Sequence, residues 1–455
     1  MAANKEKANG IFEKVLESIK PTEQETEATT ANVNMLMHRL KKVVGKGVEL
    51  RVAGSIARGT NLRGSADIDI FMLFKSGIPR KRLESLGLKY GKAIVQKERG
   101  ERCETKYAEH PYVRVYLPSG LNADIVPAFK IENAEELATA VDRTPLHTEF
   151  INTHLSQKQR DAVRLLKYFL KAHNIYGAES RIGGFSGYLC ELLIYHYGSM
   201  IGVLEAFSSM KLPVTLDPLN KEEQREHEKR FGSEFVVIDP VDRNRNVAAA
   251  VSIDALARLS IASRLFLSKP DIKAFYGQKV SHDGAAKLLK KFMRESRLDL
   301  FLIALSLKEK SADVTWPQLR KISSIIEEMV KRYGFEIYLS AKWVSESTGL
   351  ILLLAPKRSL GYRLFKGPSA FTPAASDFIH AHPNAAGFLT EKGSLYALDR
   401  NRYGSVEEII TEMLHKGGVK GRKDVSVKGA KLFVNAIPAK YAEGAYLELM
   451  KKLRV

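Results

Sequence analysis

Between Val52 and Phe74 the chain reads VAGSIARGTNLRGSADIDIFMLF, and two carboxylates stand inside its apolar run. In a β-strand alternate side chains share a face, so Asp67 and Asp69 project together, roughly 7 Å apart along the backbone. Ile68 and Ile70 then point the opposite way, into a core. Hydrophobic burial does not account for neighbouring like charges, which repel each other. A bound divalent cation does, because oxygen ligands of this kind suit Mg2+.

The elements around this strand read as a small mixed sheet with helices on it. Residues 5–45 form two helices parted at Pro21, with Thr22 capping the second, and Val48–Ala53 is a strand. Gly54 and Ser55 turn the chain into a brief helix carrying Arg58. Pro79 opens another helix after the Asp67–Phe74 strand. Extended segments follow at 101–108, 112–117 and 121–129, with Pro118, Ser119 and Gly120 making a hairpin turn. Asp124 lies in the last of these, flanked by apolar residues. Alone, such an Asp is a capped or solvent-facing residue; on a strand lying beside the first, it completes a cluster of three carboxylates.

A chain of 455 residues is expected to form about three domains, and an apolar share of 45% is ample for packed cores. No run is long enough to span a membrane, and the charged, amphipathic N-terminus lacks a signal peptide's apolar block. A cytoplasmic protein with no membrane partner is expected. Cys103 and Cys190 are too few and too widely spaced for a disulfide framework or a zinc site, and read as reduced residues in or near a core. The formal charge of +19 favours polyanionic partners, nucleic acid above all, over a merely solvated basic surface.

From about Leu155 the pattern turns helical. Ala162, Leu165, Leu166, Phe169 and Leu170 share one helical face, while Arg160, Arg164, Lys167 and Lys171 fall towards the other, expected to be mostly solvated. A second helix follows GGFSG; this segment does not fit G-x-S-x-G, which rejects a hydrolase nucleophile elbow and leaves tight packing or capping by Ser186. A strand is expected at Phe235–Asp239. After it Asn246 would cap a helix beginning at Val247, placing Arg243 and Arg245 beside a helix N-terminus that favours anions, with a plain surface loop the equal alternative. The region from about 270 reads as a separate β-α-β-β unit of the ferredoxin-like kind: a strand at 298–307, a helix at 316–333, and a strand pair around 336–354. A section rich in Pro, His, Gly and aromatic residues runs from Gly367 to Tyr403. A helix at 406–415 and the Lys-rich stretch HKGGVKGRKDVSVKGAKLF come last, suited to RNA backbone and exposed bases.

A Gly-Ser turn, eleven further residues, D-x-D and a distant third Asp together resemble the nucleotidyltransferase superfamily that includes polymerase β and the poly(A) polymerases. In that chemistry Gly54 lets the backbone approach a phosphate, Ser55 and nearby amides bond the triphosphate, and Arg58 neutralises phosphate charge. Asp67 and Asp69 would hold Mg2+ on the triphosphate and Asp124 would ligate a second ion, the pair activating the attacking hydroxyl and stabilising the departing pyrophosphate.

The segments EHPYVRV, VDRTPLHTEF, VRLLKYFLKAHNIYGAE, GGFSGYLCELLI, VDRNRNVAAAVS and WPQLRK narrow the resemblance to the archaeal class of CCA-adding enzymes, over essentially the whole chain and most strongly up to about residue 260. This implies an α+β multidomain protein: a nucleotidyltransferase head (1–145), a mostly helical neck recognising base and sugar (146–265), and a ferredoxin-like body with an α/β tail binding tRNA (266–455). It further implies template-independent addition of C, C and A to the 3′ end of tRNA, with CTP and ATP as substrates, two Mg2+ ions as cofactor and a homodimer. His147, Lys167 and Tyr176 would contact triphosphate and ribose, and Arg245 would read the edge of the incoming base. One departure is that the first carboxylate, often Glu in this class, is Asp67. The competing readings are a poly(A) polymerase, an oligoadenylate synthetase, or a catalytically silent RNA-binding protein on the same fold.

Overall fold

The computed structural model describes residues 2–453 apart from 66, 108, 221–229, 278–281, 308–311, 346–347, 359–360 and 416–426. Most of the Lys-rich stretch after His415 therefore lies outside the described residues. The chain divides into two compact units, Met1–Gln278 and Lys279–Val455.

In the first unit, helices α1 (Ala2–Ile19) and α2 (Glu23–Val43) precede a five-stranded sheet. Thr22 caps α2 through a capping box with Glu25, as expected from its position after Pro21. The strands are β1 (Glu49–Ala53), β2 (Asp67–Phe74), β3 (Arg102–Tyr107), β4 (Pro111–Tyr116) and β5 (Asn122–Phe129), in the order β1-β2-β5-β4-β3. Within this sheet, among the described residues, β2 pairs with β5 in parallel and the other neighbours are antiparallel. The alternation of β2 sorts its faces. Ile68, Ile70 and Met72 are fully buried with Leu36 and Leu40 of α2 and with Val113, Val115 and Ile125 of the sheet. Phe71 and Leu73 face the other way, against Ala53 and Ala128, and continue the face that Asp67 and Asp69 begin. Helix α3 (Gly54–Ala57) joins β1 to the loop before β2, and α4 (Arg80–Ala93) packs on the β4 and β5 side, where Gly87 and Gly91 admit Pro127 and Val113.

A second core in this unit is helical. It gathers α5 (Arg143–His154), α6 (Gln157–Ala172), α7 (Gly187–Tyr197), α8 (Met200–Ser208), the parallel strand pair β6 (Val214–Leu216) and β7 (Phe235–Val237), and α9 (Ile253–Ser268). Helix α1 contributes Ile11, Phe12 and Val15 to it. Ser186 caps α7, its Oγ accepting from the Leu189 amide at 3.1 Å.

Two expectations fail in this unit. No helix begins at Val247: Asn246 Oδ1 accepts from the amides of Val237 (3.0 Å) and Ala248 (2.9 Å), so it pins a turn beside β7, and the next helix opens at Ile253 under Ser252. The basic face of α6 is not mostly solvated either. Arg164 and Lys167 are buried, because Arg164 bonds the Asn61 carbonyl and Asp161 while Lys167 reaches into the loop after α3.

The second unit holds an antiparallel sheet in the order β14-β8-β10-β9, built from β8 (Leu298–Leu307), β9 (Leu339–Ser345), β10 (Thr348–Pro356) and β14 (Val427–Val434). Its central strand β8 is buried on both faces, which explains its continuous apolar run. Ile303 and Leu305 pack against α11 (Ala312–Arg332) and α13 (Val406–His415). Leu300 and Leu302 pack against α10 (His282–Ser296) and α14 (Ala439–Leu453). The Pro- and aromatic-rich section forms a separate three-stranded sheet, β11 (Tyr362–Ser369), β13 (Ser394–Arg400) and β12 (Gly387–Glu391), with α12 (Ala374–Ala381) beside it. Among the described residues, no helix is long and apolar enough to cross a membrane.

Candidate active site

The parallel pairing of β2 with β5 sets Asp69 directly across from Asp124, and Asp67 across from Asn122. Because paired residues share a face, all three carboxylates lie on one side of the sheet. Gly54 begins α3 directly above them with φ +72°; a Cβ built there would overlap Oδ2 of Asp69 and stand 2.7 Å from its Cγ. Only glycine admits that approach. Burial raises the Asp69 carboxyl to about 7, with the Asp124 and Asp67 charges adding to it and Arg58 and Arg114 opposing it.

Arg114, on β4, lies among these carboxylates. Its Nε donates to Asp124 Oδ1 and its Nη2 to Asp124 Oδ2, both at 2.7 Å, and Nη2 also reaches Asp67 Oδ2 at 3.4 Å. Asn122 Nδ2 donates to Asp67 Oδ1 at 3.1 Å. As placed, and among the described residues, no three His, Cys, Asp or Glu side chains are gathered into a metal-ligand set. The chemistry of the donors nevertheless fits a hard divalent cation: three oxygen donors share one face, and burial and neighbouring charge hold one of them in a proton-hungry state that a dication would relieve.

Arg58, just past α3, and Lys167, on α6, converge on one buried carboxylate, Glu191 of α7. Arg58 Nε lies 2.9 Å from Glu191 Oε2, and Lys167 Nζ lies 3.6 Å from Oε1. Thr60 bridges them, its hydroxyl donating to Glu191 and accepting from Lys167 Nζ at 3.0 Å. Burial opposes the charge on Glu191, but the Arg58 and Lys167 cations prevail and hold it below the usual carboxylate range. Burial also depresses Lys167. Tyr176, half-buried, directs its hydroxyl to the same place: a Cβ on Gly187 would stand 3.2 Å from Tyr176 Oη and 3.6 Å from Lys167 Nζ. Ser55 lies in α3, and its carbonyl accepts from the Thr60 amide at 2.9 Å, closing the loop that carries Thr60.

His147, on α5, and Arg245, in the turn after β7, meet at Asp239. His147 Nε2 and Arg245 Nη1 both lie 2.9 Å from Asp239 Oδ2, while the Tyr188 hydroxyl (3.1 Å) and the Val241 amide (3.0 Å) donate to Oδ1. The His147 ring stacks on Tyr188 at 3.9 Å between centroids. Burial opposes ionisation of Asp239, but His147, Arg245 and the Val241 amide bring it down to about 2. The two clusters adjoin through Arg58, whose Nη1 is 3.4 Å from the Thr148 hydroxyl, next in sequence to His147.

Three residues of the candidate site escaped the sequence reading: Arg114, Glu191 and Asp239. Glu191 is a lone charge inside the apolar helix YLCELLI, and Asp239 ends the apolar strand FVVI, so both carried the signal that marked Asp67 and Asp69. Arg114 carried none that periodicity could separate from an exposed strand residue.

A parallel strand pair presenting three aspartates beneath a Gly-Ser helix start, with cations behind it, defines a nucleotidyltransferase. A family model described as "Nucleotidyltransferase domain" matches residues 35–147; "tRNA nucleotidyltransferase, second domain" matches 161–276 and "CCA-adding enzyme, C-terminal domain" matches 300–428. The CCA-adding enzyme of Sulfurisphaera tokodaii is 34% identical over 406 residues, covering 89% of this chain and 91% of the relative. That of Saccharolobus solfataricus is 34% identical over 401 residues, covering 88% and 90%. The chain belongs to the CCA-adding enzyme family and is a tRNA nucleotidyltransferase. Divalent metal dependence comes with that membership. A solved structure of Cid1, described as having RNA terminal uridylyl transferase activity, superposes with TM-score 0.49 at 16% identity over 61% of this chain and 98% of its own, too loosely to carry an argument.

Proposed function

We propose that this protein adds C, C and A to the 3′ end of tRNA from CTP and ATP without a template, releasing pyrophosphate. The observation that carries the reading is the register of β2 on β5, which aligns Asp69 with Asp124 and puts Asp67 on the same face. Asp67, Asp69 and Asp124 would hold two Mg2+ ions, which when bound supply charge neutralisation on the triphosphate and a lowered pKa for the attacking hydroxyl. Gly54 keeps the backbone close to the carboxylates, and the α3 start with Ser55 offers amides and a hydroxyl to phosphate oxygens.

Arg58, Lys167 and Tyr176 form a polar wall anchored on Glu191, and bind triphosphate and ribose. His147 and Arg245 are oriented by Asp239, leaving the remaining guanidinium nitrogens of Arg245 to hydrogen-bond a base edge. Such a reader discriminates because a wrong base leaves buried polar groups unpaired. Residues 1–145 act as catalytic head, 146–265 as neck, and 266–455 as a tRNA-binding body and tail. The order β14-β8-β10-β9, fourth-first-third-second in sequence, supports a ferredoxin-like body. We assign the protein to the cytoplasm and, as the sequence resemblance implies, to a homodimer.

The test is incorporation of labelled CTP and ATP into a tRNA transcript ending at the discriminator base. The expected product gains two C residues with CTP alone and stops after one A when both nucleotides are present. Continuous ATP addition without CTP would identify a poly(A) polymerase instead.

A further inference from the structure

Across the five-stranded sheet one row of cross-strand neighbours reads Asp69, Asp124, Arg114, Glu104. Register puts all four on the face of the candidate site, so a single cation separates two carboxylates on one side from a third on the other. Arg114 is turned inward, its fork closed on both oxygens of Asp124 and touching Asp67. A guanidinium so placed takes the lone pairs a dication would need, a bidentate geometry a lysine ammonium does not reproduce. On its other side stands Glu104, with a half-exposed side chain, held by Lys106 Nζ at 2.9 Å and by the Tyr116 hydroxyl at 3.0 Å, both on Oε2. Lys106 and Tyr116 hold its carboxyl below the usual range, with the Arg114 charge also acting on it.

We propose that Arg114 is a positioning residue that substitutes for the metal: it neutralises Asp124 and Asp67 before the dication arrives, and is displaced towards Glu104 when the dication binds. This rests on the reading of the three aspartates as metal ligands. Metal affinity is then set by a competition inside the protein. Removing the internal cation strengthens metal binding, and removing its alternative acceptor weakens it.

The test is Mn2+ titration of the full-length chain, following free Mn2+ by electron paramagnetic resonance, for wild type, Arg114→Gln, Arg114→Lys, Glu104→Gln, the double variant, and Asp69→Asn as reference. Arg114→Gln should bind Mn2+ about tenfold more tightly, the equivalent of one displaced charged hydrogen bond. Arg114→Lys should fall between it and wild type. Glu104→Gln should bind a few-fold more weakly, and lose that effect once Arg114 is Gln. An Arg114→Gln affinity equal to or below wild type, or a Glu104→Gln effect that persists in the double variant, overturns the proposal. If Arg114→Gln does not fold, Glu104→Gln alone decides: unchanged or tighter binding overturns it. Unaltered Mn2+ binding by Asp69→Asn would instead overturn the metal-ligand reading beneath it.

Discussion

Gly54 and Asp69 together show how a few atoms decide this site. With φ +72° and the Asp69 carboxylate against it, Gly54 tolerates no side chain. Gly54→Ala adds left-handed strain of roughly 1–2 kcal/mol and displaces the carboxylate, so CTP incorporation should fall at least about a hundredfold, the effect of a misplacement near 1 Å. Binding of tRNA, measured separately by filter retention, should stay within a few-fold of wild type. Asp69→Ala should abolish incorporation with equally little effect on tRNA binding; undiminished turnover would remove Asp69 from the chemistry. His147 and Asp239 give a pH dependence. Burial lowers His147 from its ordinary 6.5, so the unfolded chain takes up the proton before the native ring does; its stabilisation is complete above about 6.5 and falls as pH drops towards the folded value. Asp239, depressed to about 2 from an ordinary 3.8, holds its stabilisation above about 3.8 and loses it towards about 2. Both act in one direction. Thermal unfolding from pH 8 to pH 3 should show a falling midpoint below about 6.5, and Asp239→Asn should flatten the part below pH 4.

At the scale of elements, helices α6 and α7 are tied by an ion cluster rather than by apolar packing alone. Glu191 is fully buried with two cations within reach, Arg58 and Lys167. Glu191→Ala leaves both uncompensated, and breaking such a pair costs about 3–5 kcal/mol. The variant should show that loss in urea denaturation; a loss under about 1 kcal/mol would mean that water reaches the cluster. The apolar pattern of α6 already held this information. Val163, Leu166 and Leu170 are buried at i, i+3 and i+7, and Lys167 completes that stripe at i+4, so its burial was readable had the stripe been centred on them. The strand pattern of β2 was fully legible, because period two admits one assignment of inward and outward residues. The turn after β7 was not. Asn246 before VAAAV looks like a cap before a helix, yet its carboxamide is engaged by the Val237 amide, a partner nine residues back that no local pattern reveals.

At the scale of the whole molecule, the two compact units differ in how far sequence could describe them. The face of three aspartates follows from residues close in sequence, save for the β2–β5 adjacency, which joins segments some fifty positions apart. The second unit carries its order in long apolar strands, while much of the Lys-rich stretch thought to meet RNA lies outside the described residues. What remains legible at this scale is charge. An excess of 19 positive charges exceeds what a nucleoside triphosphate requires, and its natural counterpart is a phosphate backbone. Each phosphate neutralised releases condensed counterions, so affinity falls linearly on logarithmic axes with salt. With about six such contacts, the tRNA dissociation constant should rise about a thousandfold between 50 and 200 mM salt. The Michaelis constant for CTP at saturating tRNA should change far less over that range, because Lys167, proposed to bind the triphosphate and ribose, is buried and fixed, where salt screens weakly. Measuring both across one salt series separates the two kinds of electrostatics. A flat tRNA response would mean that the basic surface is not the RNA-holding surface, and that shape and hydrogen bonding to bases carry the recognition instead.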